Sequence, residues 1–368
     1  MRLKTGGLID RTAPISFTFD GTEYRGFQGD TLASALLANE VRLVARSFKY
    51  HRPRGILTAG SEEPNALMTI GHGAAQTPNV RATVQEIYDG LEARSQNAWP
   101  SLRYDLMAAN DLLSPFLSAG FYYKTFMWPK SLWEKLYEPV IRRAAGLGAL
   151  SKVSDRANYD KAFAHCDLLV IGAGATGLMA ALAGAQAGLD VILADEDSRM
   201  GGRLLAETDQ IDGKPGPVWV EAMLTKLRDM GVRLMQRTTV TGAYDGGTYG
   251  ALERVALHRA MPGDAPLETF WRISTRQAVL AAGALERPIA FPSNDRPGVM
   301  MAGAVRTYVN RYGVAPGKRV AVFGNNDDAH RTARDLTAAG VDVAAVIDSR
   351  PDAKVSGSYP IFTGAHVS

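Results

Sequence analysis

Residues 167–203 carry the pattern that most restricts how this chain can fold. The apolar run Leu168-Leu169-Val170-Ile171 leads directly into Gly172-Ala173-Gly174-Ala175-Thr176-Gly177. A strand followed by glycines at this spacing predicts a sharp turn into a helix. Gly172 permits the turn, Gly174 lets backbone approach a pyrophosphate, and Gly177 lets the helix lie close on the strand. The Ala-rich stretch 178–187 reads as that helix, with Gly188 as its left-handed stop. Val191-Ile192-Leu193-Ala194 reads as a second parallel strand ending at Asp195. That spacing is close to the roughly 20 residues at which a carboxylate meets a ribose 2′-hydroxyl. The helix N-terminus would offer N–H groups and partial positive charge to the phosphates.

Which dinucleotide such a site holds stays open at the level of the motif. The glycine loop serves NAD and FAD alike. The continuation Asp195-Glu196-Asp197-Ser198-Arg199-Met200-Gly201-Gly202-Arg203 resembles the acid-then-Gly-Gly-Arg tail of FAD-binding folds. An acidic strand end disfavours NADP, whose 2′-phosphate calls for an Arg there.

At 368 residues the chain has room for about two or three domains with sizeable cores. A formal charge of +3 gives no global argument for a nucleic-acid partner. The one cysteine, Cys166, excludes a disulfide framework and any all-cysteine metal or iron–sulfur site within the chain, and reads as a small packed residue. The first residues lack the apolar core of a signal peptide, and no apolar run reaches the roughly 18 residues of a membrane span. A soluble, cytoplasmic protein is expected.

Three regions follow along the chain. In residues 1–98, Phe17 and Phe19 alternate with polar residues, Asp20-Gly21 signals a hairpin, and Tyr24 and Phe27 continue a second strand. Asp30 or Thr31 can cap a helix over 32–39. Hairpin then helix is how ubiquitin-like and ferredoxin-like β-grasp domains begin. In plant-type ferredoxins the next loop supplies cluster cysteines, and here it has none. It carries Arg42, Arg46, Lys49, His51, Arg52 and Arg54 among Phe48 and Tyr50 instead. Acidic residues elsewhere nearly balance these and no RNA-binding signature accompanies them, so a partner subunit or a cofactor phosphate is the expected contact.

Residues 99–160 form an aromatic-rich connector, broken by proline into short helices. Phe116, Phe121, Tyr122, Tyr123, Phe126, Trp128, Trp133 and Tyr137 crowd into it, which reads as a subunit interface. Residues 161–368 hold the dinucleotide unit and an inserted, degenerate copy over 317–350. There Lys318–Phe323 reads as a strand, 329–339 as a helix and Asp348 as the end of a second strand. One of the three glycines remains, Gly324, and Asp327 and Asp328 would repel a pyrophosphate. Ala278-Val279-Leu280-Ala281-Ala282-Gly283 resembles the strand end that closes the first domain of two-dinucleotide-domain flavoproteins. The expected fold class is therefore α/β: a Rossmann-like domain with a degenerate second unit, preceded by a cluster-free β-grasp domain. No hydrolase motif and no metal-ligand spacing is present among the six histidines, so no catalytic residue and no metal ligand is assigned.

Several stretches together resemble the α subunit of heterotetrameric sarcosine oxidase. They include Gly29-Asp-Thr-Leu-Ala-Ser-Ala-Leu-Leu-Ala-Asn39, Arg46-Ser-Phe-Lys-Tyr-His-Arg-Pro-Arg-Gly55 and Glu63-Pro-Asn-Ala-Leu67. Gly120-Phe-Tyr-Tyr-Lys-Thr-Phe-Met-Trp-Pro129, Asn294-Asp-Arg-Pro-Gly298 and Arg306-Thr-Tyr-Val-Asn-Arg-Tyr-Gly313 add to them. The resemblance implies an enzyme that demethylates sarcosine with tetrahydrofolate and oxygen, giving glycine, methylene-tetrahydrofolate and hydrogen peroxide. It implies NAD on this subunit, FAD and covalent FMN on a β subunit, zinc on a δ subunit, and a γ subunit completing the complex. It places NAD contacts on Gly172, Gly174, Ala175, Thr176 and Gly177, on Asp195, Glu196 and Asp197, and on Gly202, Arg203 and Val240. Relatives of that family continue into a folate-binding domain, so this chain is expected to be an N-terminal portion, inactive by itself. Two other readings stand beside it: a free-standing FAD/NAD(P)H-dependent two-domain oxidoreductase, and a non-catalytic subunit whose NAD is structural.

Overall fold

The hairpin signal at the N-terminus produces what it predicts. Strands β1 (Asp10–Phe19) and β2 (Thr22–Gln28) pair antiparallel around Asp20 and Gly21, both at positive φ as a tight primed turn requires. Phe17 and Phe19 point inward and are buried. Helix α1 (Leu32–Ala38) starts at Thr31, whose hydroxyl accepts the Ser34 N–H while the Ser34 hydroxyl accepts the Thr31 N–H. Its residues from Leu32 to Leu37 are all buried, so it is a core helix rather than an amphipathic one.

The cluster-free loop holds a small ribbon of β3 (Ala45–Arg46) and β4 (Pro53–Arg54). Strands β5 (Leu67–Ile70), β6 (Thr77–Arg81) and β7 (Leu91–Arg94) then complete a five-stranded sheet in the order β2-β1-β7-β5-β6. Only β1 and β7 run parallel within it. This is the β-grasp arrangement. Its core is not sealed by its own residues, because Met301, Ala304, Tyr308, Tyr312 and Val314 from far along the chain pack into it.

This computed structural model describes all residues except 116, 118–119, 121–127 and 355. Phe116, Phe121, Tyr122, Tyr123 and Phe126 of the expected interface therefore lie outside the described residues. Among those described in the connector are short helical turns and α2 (Glu138–Ala145).

The dinucleotide unit is built on a six-stranded sheet. Strand β8 (Tyr159–Ile171) starts well before the apolar run, and its residues from Tyr159 to Asp167 bury only small side chains such as Ala164 and Cys166 on one face. Helix α3 (Ala175–Gln186) and β9 (Val191–Ala194) follow, then a small ribbon of β10 (Gln210–Ile211) and β11 (Lys214–Pro215), and α4 (Gly216–Asp229). Strands β12 (Arg233–Met235), β13 (Thr238–Tyr244), β14 (Thr248–Arg254) and β15 (Glu268–Leu280) complete the order β12-β9-β8-β15-β14-β13. The first four of these are parallel, and β13 to β15 form an antiparallel meander. As expected, β15 brings Ala278–Leu280 alongside the end of β8, with Leu280 opposite Ile171.

Helix α5 (Ala302–Asn310) leads into the second unit: β16 (Arg319–Gly324), α6 (Asp327–Ala338), β17 (Asp342–Asp348) and β18 (Ile361–Thr363), a three-stranded parallel sheet. Among the described residues no helix is long and apolar enough to cross a membrane.

Candidate functional site

Each glycine of the loop is fixed by a different contact. Gly172 lies at φ 99°, and a Cβ there would stand 2.5 Å from the Ala281 carbonyl oxygen at the end of β15. A Cβ on Gly177 would lie 1.8 Å from the Gly172 carbonyl oxygen, so only glycine lets α3 sit this close to its own loop. Gly174 differs: nothing lies within 4 Å of its missing Cβ. The space in front of it is open, as the approach of a pyrophosphate requires. No side chain caps α3 at Gly174, and Ala175 and Thr176 of its first turn are exposed. The cradle therefore fits a dinucleotide phosphate.

The three acids at the tip of β9 have three different environments. Asp195 accepts the Ala173 N–H at 2.6 Å on Oδ2 and the Asp197 N–H at 2.8 Å on Oδ1. Burial pushes its pKa up against those two donors. It joins the strand tip to the glycine loop. Glu196 is exposed and accepts the Ser61 hydroxyl at 2.6 Å, a contact from the β-grasp domain. Asp197 is engaged on both oxygens by Arg311, at 2.5 and 2.7 Å. Burial opposes its ionisation, but the guanidinium overrides it and holds the carboxyl below the usual range.

Gly202, at φ 53°, packs backbone to backbone on the loop, since a Cβ there would lie 3.0 Å from Gly174 Cα. Arg203 turns away from the loop toward the second unit. Its guanidinium meets Asp328 at 2.8 Å and Glu207 at 3.1 Å. Val240 sits in β13 opposite Ala251 and packs on the meander face with Leu169 and Ile192, away from α3. A cleft of about 1170 Å³ opens between the two units, lined by Gly202, Arg203, Met301, Gly324 and Asn326 among others.

The second unit repeats the scheme with the acids of its loop and strand end paired within the chain. Asn326 caps α6 by accepting the Asp328 N–H. Asp327 pairs with Arg350, and Asp328 with Arg203 and Arg306, so the two acids expected to repel a phosphate are neutralised by arginines. Asp348, at the strand end corresponding to Asp195, is fully buried against Arg350 and His330, and the arginine holds its carboxyl far below the usual range.

Three arginines of the basic loop have partners within the chain. Arg46 is buried and donates to the Leu102 and His51 carbonyls, Arg52 pairs with Asp111, and Arg54 with Asp295. Arg52 stays half exposed beside its internal partner, and the contact expected of this loop with a subunit or phosphate is carried forward as a proposal. Cys166 is buried, and burial pushes its thiol up, which keeps it unreactive. Among the described residues no cluster of three or more His, Cys, Asp or Glu could hold a metal.

Sequence reasoning assigned no role to Arg311, Ser61, Arg237 or Arg254, all of which touch the acid tip or its neighbours. Arg237 pairs with Glu86 at 2.6 Å, and its N–H donates to the Asp197 carbonyl. Arg254 donates to the Val84 and Glu196 carbonyls. These partners lie far apart in sequence, and the one available signal was that Arg311 falls inside the quoted 306–313 stretch.

Comparison with known proteins agrees with this architecture. A family described as a 2Fe-2S iron-sulfur cluster binding domain matches residues 12–98, which contain no cysteine. One described as an NAD(P)-binding Rossmann-like domain matches residues 170–230. Sarcosine oxidase subunit alpha of Rhizobium meliloti is 61% identical over 356 residues, covering 96% of this chain and 36% of that protein. The subunit of the same name from Corynebacterium sp. (strain P-1) is 37% identical over 98% of this chain and 33% of its own length. The chain thus spans about a third of these relatives. L-proline dehydrogenase from P. horikoshii superposes with a TM-score of 0.64 over 97% of this chain and 57% of that one, at 22% identity, a likeness of fold.

Proposed function

We propose, for a chain homologous to the sarcosine oxidase alpha subunits over 96% of its length, that it is the NAD-binding part of a multisubunit oxidase acting on sarcosine. The homology supports an oxidoreductase working within a complex. In the full reading, sarcosine is demethylated with tetrahydrofolate and oxygen to glycine, methylene-tetrahydrofolate and hydrogen peroxide. A β subunit would carry FAD and covalent FMN, a δ subunit zinc, and a γ subunit would complete the complex. The site set is the one the resemblance implies: the 172–177 loop, Asp195, Glu196, Asp197, Gly202, Arg203 and Val240.

One observation carries the dinucleotide assignment. Gly172 and Gly177 are closed to any side chain while Gly174 between them faces open space, and Asp195 is hydrogen-bonded to the same loop. The N–H groups at the start of α3 would hold the pyrophosphate, and Asp195 would accept the ribose hydroxyls. NAD, when bound, supplies a nicotinamide ring able to exchange hydride. A free-standing reductase is disfavoured, because the second unit has its loop acids and Asp348 tied to arginines. FAD at the first cradle is the competing cofactor, favoured by the Gly201-Gly202-Arg203 tail. Denaturing the purified protein and identifying the released nucleotide separates the two. NAD is expected, and a flavin on this chain alone would overturn the assignment.

A further inference from the structure

The acid tip of β9 is held from two sides. On one side it meets the glycine loop through Asp195. On the other it meets the β-grasp domain, through contacts that no motif predicts. Ser61 Oγ donates to Glu196 Oε1 at 2.6 Å. Arg254 spans the boundary, donating at 3.1 Å to the Val84 carbonyl and at 2.6 Å to the Glu196 carbonyl. Arg237 grips Glu86 with two hydrogen bonds, at 2.6 and 2.7 Å, while its own N–H donates to the Asp197 carbonyl.

The loop that presents Ser61 is not a loose surface turn. It winds around the buried Glu63 carboxylate, which accepts the N–H groups of Leu57, Thr58, Asn65 and Ala66 and the Thr58 hydroxyl. Tyr308 fixes it from behind by donating to the Thr58 carbonyl at 2.8 Å. Gly60 and Glu62, on either side of Ser61, line the cleft that Asp197 and Gly202 also line. A rigid loop of the β-grasp domain is therefore aimed at the ribose end of the cradle.

We propose that the dinucleotide site is composite: Ser61 of the β-grasp domain is a positioning residue that sets Glu196, and nucleotide binding and domain docking are thermodynamically linked through the 195–197 tip. The inference rests on the dinucleotide reading above. Because the nucleotide and the β-grasp domain both bear on this tip, the domain directly at Glu196 and through Arg254 and Arg237 at the 196 and 197 backbone, each should tighten the other by an equal factor.

The test uses the whole chain with NAD as the probe. Ser61→Ala should weaken NAD by about three- to tenfold, the effect of losing one ordinary hydrogen bond. Ser61→Thr, which keeps the hydroxyl, should restore it. NAD should also slow hydrogen exchange at residues 84–86, which the nucleotide itself does not touch in this reading. Wild-type affinity in Ser61→Ala, or exchange at 84–86 indifferent to NAD, overturns the proposal. Asp195→Asn separates the two levels. If it weakens NAD while Ser61→Ala does not, the composite site fails and the dinucleotide reading stands. If neither substitution matters, the dinucleotide reading itself has failed.

Discussion

Gly174 and Gly177 are three residues apart and should respond to alanine in opposite ways. At Gly177 the new methyl would collide with the Gly172 carbonyl oxygen, so α3 must move off its loop. Gly177→Ala should cost about 1–3 kcal/mol of stability, as overpacking does, and lose nucleotide as well. At Gly174 the methyl would enter open space. Gly174→Ala should leave the thermal midpoint of the nucleotide-free chain nearly unchanged and still abolish NAD binding, because the methyl occupies the pyrophosphate's place. Calorimetry paired with a binding isotherm reads both quantities, and a bound nucleotide in Gly174→Ala would displace the phosphate from this loop. Asp195 makes a prediction in pH. Burial raises its folded pKa, so it takes up a proton at a higher pH than an ordinary aspartate near 3.9. The ionised form is the better acceptor for ribose hydroxyls, so NAD affinity should fall as pH falls through that raised value. Asp195→Asn should bind about 1–3 kcal/mol more weakly and lose this acid-side decline. Dialysis at graded pH with absorbance of the retained nucleotide checks it, and retention in wild type that stays flat down to about pH 4 would contradict it. The turn at Gly172, the close packing at Gly177 and the place of Asp195 at the strand end were legible because the motif is local, with its parts at most about twenty residues apart. The Asp197–Arg311 pair spans 114 residues, and nothing in either neighbourhood announces it.

At the scale of elements, α5 is the strut on which both halves lean. Tyr308 is fully buried in the β-grasp core, Val305 and Val309 belong to the core of the second unit, and Arg306 meets Asp335 and Asp328 of α6. Tyr308→Ala should cost about 3–5 kcal/mol, as large aromatic truncations in cores do. Tyr308→Phe should cost about 1 kcal/mol, the net worth of the bond to the Thr58 carbonyl. Denaturant unfolding should show both losses, with the alanine change loosening the β-grasp domain and the second unit together. If only one of them loosened, α5 would not be a shared strut. This explains which elements the sequence revealed. The 10–28 hairpin, α1, and the strand–helix–strand order of both nucleotide units follow from alternation, capping and glycine spacing, all of them local. The start of β8 was hidden because the buried Ala164 and Cys166 are small while the large Phe163 beside them is exposed, which leaves little hydrophobic contrast. Helix α5 was hidden because its packing on a sheet some 290 residues earlier follows from tertiary structure, not from its own pattern. The same holds for the internal partners of the basic loop: Arg46, Arg52 and Arg54 meet the Leu102 carbonyl, Asp111 and Asp295, which no local pattern announces.

For the whole molecule, the surface of the connector bears on what the chain can do by itself. Trp99 is 63% exposed, and Leu112 and Trp128 are each 84% exposed, with Tyr104, Leu106, Leu147 and Leu150 open as well. Exposed apolar residues in this number along one region mark a contact surface better than a free one. In the proposed complex these residues face partner subunits, and hydrogen exchange across 99–153 should slow on assembly while the sheet cores stay unchanged. The companion expectation is that the chain alone does not oxidise sarcosine. Taking hydride from the methyl carbon requires a flavin held against the substrate. The open glycine cradle of this chain is proposed to hold NAD, and the corresponding loop of the second unit has its acids locked to Arg203, Arg306 and Arg350. Mixing the purified chain with sarcosine, oxygen and added FMN or FAD, and following peroxide, should therefore show no turnover. The same assay on the assembled complex should show it. Peroxide from the chain alone at a rate comparable to the complex would mean that the flavin and its substrate meet within these residues, and the cleft between the two units would then be the place to look.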